Sequence, residues 1–243
     1  MSLARILLGM VDQPARAMQE AAKRSRSWWL PAVLLVIGTT VLVWISAPYQ
    51  MELANETSAQ MIERITANMP EEQARMVRER SQQLTLPRYW LGSAGVSLIL
   101  AALGWLVRGA VIHFTGMAAG GTSAWGGTFT IGVWSMLPYF VRNLLQVAYV
   151  WINERAIRHA GFSFLVATGD LLKDSRNLVY VLLANVDLFA LWHVVLLGTG
   201  IAAATKLSRP KATVLAITVW ALFVAVKLLP VAVSAAVAGR FLD

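Results

Sequence analysis

Five long apolar stretches decide what this chain can fold into. They cover residues 28–47, 89–115, 127–151, 178–204 and 212–237. Each has about 20 residues or more, which is enough for an α-helix to cross a hydrocarbon core of about 30 Å. Charged residues make up only 14% of the chain, against about 25% in soluble domains. The sequence therefore predicts an all-α integral membrane protein with five transmembrane helices, which excludes most classes of soluble enzyme.

Residues that could carry chemistry are sparse. The chain has no cysteine, so disulfides and thiolate catalysis are excluded, and it has only three histidines. No nucleophile–base set, carboxylate pair or metal-ligand spacing rises above chance. His193 lies within a predicted span and is expected to be a packed, hydrogen-bonded residue. We therefore expect a non-enzymatic protein with no cofactor and no metal.

The net charge of +8 is better explained by membrane topology than by binding to nucleic acid. With a cytoplasmic N-terminus, the inner segments hold nine basic and two acidic residues, Arg108 included, whereas the outer segments hold ten of each. Lys and Arg in short loops beside span ends favour the cytoplasmic side. The clusters before the first and fifth spans therefore predict a cytoplasmic N-terminus and an external C-terminus.

Residues 1–26 form a predicted cytoplasmic segment of their own. Apolar residues recur at helical spacing in it, and Asp12-Gln13-Pro14 interrupts the run. This pattern predicts one or two amphipathic helices on the inner leaflet, leading into an uncleaved first span. A mobile tail is the alternative. The cations expected to hold the segment on anionic lipid are Arg16, Lys23, Arg24 and Arg26.

Residues 27–243 are predicted to form a single five-span membrane domain with an extracytoplasmic helical insertion at 48–88. The insertion is rich in Glu, Gln, Arg and Ala, which favour helix. A helix start at 68–72, with a proline followed by two acids, divides it into helices at about 50–67 and 70–84. This hairpin either packs on the membrane domain or a partner, or is solvated and has no binding role.

Three charged residues lie inside the predicted spans, namely Arg142, Asp187 and Lys227. Each costs about 2.5–3.5 kcal/mol to insert, so such residues usually face protein or water. Their depths are comparable, and Lys227 is the preferred partner of Asp187 because a short loop joins spans four and five. Pro138 and Pro230 are predicted to kink their helices. The cluster is either a polar site or vestibule, or one buried ion pair with the other cation reaching the headgroups.

Three segments resemble prokaryotic members of the Yip family, membrane proteins named for interacting with Ypt/Rab GTPases. They are the leader at 7–18 with its Asp12-Gln13-Pro14, the third-span motif Ser135-Met136-Leu137-Pro138-Tyr139, and the run 185–200, which contains Asp187-Leu188-Phe189 and ends in Gly198-Thr199-Gly200. The resemblance implies a bacterial or archaeal cell membrane. Eukaryotic members act in trafficking, and some prokaryotic ones are encoded with export transporters. The insertion at 48–88 departs from the compact eukaryotic pattern, so binding to Rab proteins is not carried over.

Two functional hypotheses follow. The leading one is a non-enzymatic scaffold or accessory subunit in membrane organisation, trafficking or export. Its partners would be the lipid bilayer and either another protein or a second copy held through membrane helices. The competing hypothesis is a small channel, transporter or lipid-translocating protein that uses Arg142, Asp187 and Lys227. A dry ion pair at Asp187 would favour the first, and a hydrated groove there would favour the second.

Overall fold

The computed structural model describes residues 2–67, 69–80 and 85–240, and all regular secondary structure in them is helical. A single 3₁₀ turn, Ser163–Val166, lies between α7 and α8. In chain order the helices are α1 (Leu3–Asp12), α2 (Pro14–Ala22), α3 (Trp29–Thr66), α4 (Glu71–Arg80), α5 (Leu86–Ala118), α6 (Trp125–Trp134), α7 (Leu137–Asn153), α8 (Leu171–Ser175), α9 (Leu178–Leu183), α10 (Leu188–Thr205) and α11 (Arg209–Arg240).

Four helical segments among the described residues are long and apolar enough to cross a membrane. They are Trp29–Thr66, Gly95–Ala118, Leu188–Thr205 and Arg209–Ser234. The other predicted span, 127–151, is divided between α6 and α7, and the predicted span 178–204 is divided between α9 and α10. The prediction of two continuous helices there is therefore wrong. A membrane protein with several spans is confirmed, whereas the count of five remains a prediction.

Proline explains the first of these two interruptions. Pro138 lies in the first turn of α7, where its missing N–H has no helical partner to lose. Inside one continuous helix it would instead remove a hydrogen bond and clash with the preceding turn. Pro138 therefore begins a new helix instead of kinking an existing one. Pro230 lies inside α11, which continues helical on both sides of it.

The predicted insertion at 48–88 is continuous with the first span. The helix α3 runs through Pro48 to Thr66 and has 38 residues, or about 57 Å at 1.5 Å per residue. The predicted helix at 50–67 is thus the end of α3, and α4 follows it, while Asn68 and residues 81–84 lie outside the described residues. Arg64 fixes this end of α3 by donating to Asp170 at 2.7 Å. This bond lowers the pKa of the Asp170 carboxyl.

The two N-terminal helices pack their apolar face on the bundle and not on lipid, while their location at the inner leaflet stays a prediction. Their apolar face is fully buried against α6, α7 and α10, and the Trp192 indole N–H donates to the Met10 carbonyl at 3.3 Å. The predicted surface cations remain exposed on the other face. The buried residues of this contact are Ile6, Met10, Ala17, Met18 and Ala21 from the N-terminal helices, with Trp134, Leu137 and Leu196.

A second buried cluster joins α5, α6, α10 and α11 on the side of the bundle where α5 ends and α11 begins. Small residues allow the close approach, because a Cβ on Gly116 would lie 2.9 Å from the Thr205 side chain. The cluster consists of Ile112, Ile131, Leu197, Ile201, Ala212, Ala216 and Val219. It packs α5 and α11 against α6 and α10.

Candidate functional site

A histidine satisfies a backbone carbonyl at the break between α6 and α7. The break leaves the Ser135 carbonyl without a helical partner, and His193 Nδ1 donates to this oxygen at 2.6 Å. Backbone polar groups at membrane depth must be satisfied inside the protein, so this bond is what makes the break tolerable. His193 is completely buried, as the expected packed, hydrogen-bonded residue should be.

The His193 imidazole also bonds to Arg108, which the charge pattern of the sequence assigned to the cytoplasmic side. Because Nδ1 carries the proton, Nε2 of the neutral ring is an acceptor, and Arg108 Nη1 donates to it at 2.7 Å. The Arg108 guanidinium also lies over the Phe223 ring, 4.6 Å from its centroid. Arg108 lies ten residues before the end of α5, or about 15 Å along the helix. The assignment to an inner segment is therefore wrong.

Replacing His193 with leucine is expected to destabilise the protein strongly. The change leaves the Ser135 carbonyl and the Arg108 guanidinium without their partner, at about 1–3 kcal/mol for each unsatisfied group. Reversible unfolding in mixed micelles measures the loss, and Thr199→Val on the same helix is the control, because the Thr199 hydroxyl bonds only to its own helix. Equal stabilities of the His193 and Thr199 variants would show that the imidazole does not support the break.

Asp187 occupies the second break, between α9 and α10. It is the N-cap of α10, and its Oδ1 accepts from the Ala190 amide at 2.7 Å. Its Oδ2 accepts from Arg142 Nη1 at 3.3 Å. One carboxylate oxygen thus fixes Asp187 to the helix while the other pairs with the cation on α7.

Lys227 is not the partner of Asp187, contrary to our preference from loop length. Its ammonium donates to Asn185 Oδ1 at 3.0 Å. The reason is local: the chain is not helical between Ala184 and Asp187, so Asn185 faces α11 and Asp187 faces α7. A continuous fourth helix, on which the preference rested, would have placed these two side chains differently.

A cavity of about 360 Å³ lies within the bundle between α3, α5, α7 and α11; we name it the central cavity. Its volume is at the lower end of the range for small-molecule sites. Arg108, Arg142 and Lys227 all line it, and none of its lining residues is acidic. The other polar residues of its wall are Thr39, Ser97, Tyr139, Asn143 and Asn185.

A second and larger cavity, of about 860 Å³, lies beside the segment 154–161; we name it the loop-side cavity. Arg142 lines both cavities, whereas Asp187 lines only the loop-side one. The Arg142–Asp187 pair therefore stands at the boundary between them. The pair is only partly shielded, with 33% of the arginine side chain and 15% of the aspartate side chain exposed.

Two guanidinium groups of the central cavity have unused hydrogen-bonding capacity. The Nε atoms of Arg108 and Arg142 are buried and have no hydrogen-bond partner. Arginine donors bind carboxylate and phosphate groups through two parallel bonds. The excess of cations and these free donors fit an anionic group. The described residues contain no group of three His, Cys, Asp or Glu side chains that could hold a metal ion.

The structure brings together Arg142, Asp187 and Lys227, and adds residues that sequence analysis left out of the site. Arg108 could have been found, because it lies well inside the predicted second span and not at its end. Tyr139 follows the Pro138 motif, and its ring lies 4.7 Å from the Arg142 guanidinium. Asn185 gives no signal in the sequence, since its role depends on the break. The described surface cations Arg16, Lys23, Arg24 and Arg26 lie outside the cavity.

The comparisons with known proteins agree with this architecture. The family model for the Yip1 domain matches residues 8–229, which is nearly the whole chain. The protein therefore belongs to the Yip family of membrane proteins, as the resemblance of its segments indicated. No curated protein and no solved structure matches the chain.

Proposed function

We propose that this Yip-family protein binds an anionic ligand in the central cavity and exchanges it with the loop-side cavity, as a small transport protein would. The observation that carries the proposal is the uncompensated charge. Three cations line the central cavity, and among the described residues Asp187 forms an ion pair with one of them, Arg142. Charges at this depth are costly when nothing compensates them, and a bound anion would supply the compensation.

Arg142 provides a route between the two cavities. Asp187 is fixed by its bond to the α10 amide, whereas the long Arg142 side chain has, among the described residues, the Asp187 carboxylate as its ion-pair partner. An anion in the central cavity would compete with Asp187 for the Arg142 guanidinium. Turning Arg142 toward the anion breaks the pair at the boundary, and this movement would connect the cavities.

A scaffold or accessory role in membrane organisation, trafficking or export is the second candidate. It is favoured by the end of α3, the turn after it and α4, which expose four large apolar side chains away from the central cavity. These residues, between 38% and 49% exposed, are Met61, Ile65, Met69 and Met76. Such a surface fits contact with another protein, and family membership is compatible with this role.

Phosphate is expected to stabilise the purified protein more than chloride does at equal ionic strength. A ligand at ten times its Kd adds about 1.4 kcal/mol of stability if it binds only the folded protein. Lys227→Gln removes one cavity cation while keeping a donor for Asn185. Its matched control is Lys211→Gln, which removes an exposed cation of the same helix outside the cavity.

The expected result is a rise in melting temperature with phosphate for the unmodified protein and for Lys211→Gln, and a much smaller rise for Lys227→Gln. An equal rise in all three would place the anion elsewhere and overturn the proposal. The scaffold role would then be the better account of the family membership and of the exposed apolar residues on α3 and α4.

A further inference from the structure

We infer that the anion is the phosphate group of a membrane lipid, which enters the central cavity from the side, between α5 and α11. This inference rests on the proposed function and names its substrate class. The lipid's phosphate would lie among Arg108, Arg142 and Lys227, while its acyl chains stay outside, against the flanks of the two helices.

Lys227 gives a lipid access to the central cavity from the flank of the bundle. Lys227 is exposed on the flank of the bundle, yet its ammonium bonds to Asn185 on the cavity wall. The lysine therefore connects the surface that acyl chains would cover with the cavity interior. Its neighbours on α11, Leu222 and Val226, are exposed, as is Leu103 on α5. A cation among lipid-facing apolar residues is positioned to meet a lipid headgroup.

Lys227 and Arg108 lie at depths that a lipid phosphate can reach. Lys227 lies 18 residues after Arg209 at the start of α11, or about 27 Å along the helix. The hydrocarbon core is about 30 Å thick. Arg108 lies about 15 Å from the end of α5 on that same side of the bundle. The cations thus extend from the middle of the membrane toward one headgroup layer, and a phosphate of that leaflet needs only a short inward movement to reach them.

The central cavity has one polar wall and one mainly apolar wall. Toward α7 and Asn185 the wall is polar, whereas α5 and α11 contribute mainly apolar side chains, among them Leu98, Trp105, Trp220 and Val224. A free inorganic anion would interact with the polar wall alone and would gain nothing from the apolar one. An amphiphile matches both walls. The volume of about 360 Å³ admits a phosphate headgroup but not a pair of long acyl chains.

Retention of an anionic lipid tests the inference. The full chain is reconstituted in phosphatidylcholine vesicles with and without phosphatidylglycerol, extracted in mild detergent, and weighed by native mass spectrometry. The unmodified protein is expected to keep one phosphatidylglycerol more tightly than the rest, and Lys227→Gln is expected to lose it. Lys211→Gln and a triple variant, Lys23→Gln with Arg24→Gln and Arg26→Gln, should both keep it, because these cations lie outside the cavity.

Circular dichroism and gel filtration establish that each variant is folded before the lipid is counted. Equal retention by the unmodified protein and Lys227→Gln would overturn the lipid inference. If sodium phosphate then still raises the melting temperature of the unmodified protein but not that of Lys227→Gln, the cavity binds a free anion and the proposed function stands. If phosphate also acts equally on both, the inference and the proposed function fail together.

Discussion

Asp187→Ala is expected to lower the free energy of unfolding by about 2–3 kcal/mol, and Asp187→Asn by about half as much. Alanine removes both the charge partner of Arg142 and the cap on the Ala190 amide. Loss of a cap costs about 1 kcal/mol, and asparagine is itself a good cap, so the milder variant isolates the charge. Breaking a fully buried pair can cost about 3–5 kcal/mol, and the partial exposure of this pair reduces that figure.

Double-mutant cycles identify the partner. Adding Arg142→Met to Asp187→Asn removes both charges, so the combined loss should fall short of the sum of the single losses by about 1–2 kcal/mol. Adding Lys227→Met should give losses that sum to within about 0.5 kcal/mol, because Lys227 bonds to Asn185 instead. Strong coupling to Lys227, with none to Arg142, would contradict the geometry of the site. Reversible unfolding in mixed micelles gives all the values.

Gly161→Ala is expected to cause the largest loss of stability from a single methyl group. Gly161 has φ of +53°, and a Cβ there would lie 2.6 Å from the carbonyl oxygens of Leu183 and Val186. Both carbonyls lie at the second helix break and accept from the Phe162 amide, each at 3.0 Å, and the Leu183 carbonyl accepts from the Val186 amide as well. The added methyl must displace the loop and with it the group that satisfies the break. We expect a loss of about 3 kcal/mol or more, which combines backbone strain of about 1–2 kcal/mol with about 1–3 kcal/mol for the Val186 carbonyl left without its partner.

Gly169→Ala is the matched control for this substitution. Gly169 also has positive φ, +87°, but nothing lies within 4 Å of a Cβ built there. It should therefore show only the backbone strain, about 1–2 kcal/mol. Similar losses for the two variants would mean that the contact of the Gly161 loop with the break adds nothing to stability.

The sequence predicted the apolar helices well but not their interruptions. A run such as 178–204 is uniformly apolar, and hydropathy does not distinguish one helix from two that are joined at membrane depth. The local signals were nevertheless present. Asn177 and Asp187 each precede a run of apolar residues and cap the helices that follow, and Pro138 suits a first turn better than a helix interior.

The N-terminal helices show a different limit. Their amphipathic pattern and the break at Asp12-Gln13-Pro14 were predicted correctly, but the surface that covers their apolar face was not. A helix that packs on membrane lipid and a helix that packs on the apolar residues around Trp134 have the same amphipathic pattern, since each buries one apolar stripe. Only the tertiary structure shows that Ile6 and Met10 pack on protein. For the same reason, the contact of Arg108 with His193 could not be predicted from spacing.

The position of a heavy anion in a crystal tests most directly whether the central cavity binds an anion. Crystals of the protein grown with selenate, which has the shape and charge of sulfate, can be measured at the selenium absorption edge. An anomalous peak is expected in the central cavity, within hydrogen-bond reach of Arg108, Arg142 and Lys227, and no such peak is expected in Lys227→Gln. Peaks confined to the exposed basic residues Lys23, Arg24 and Arg26, with none in the cavity, would contradict it.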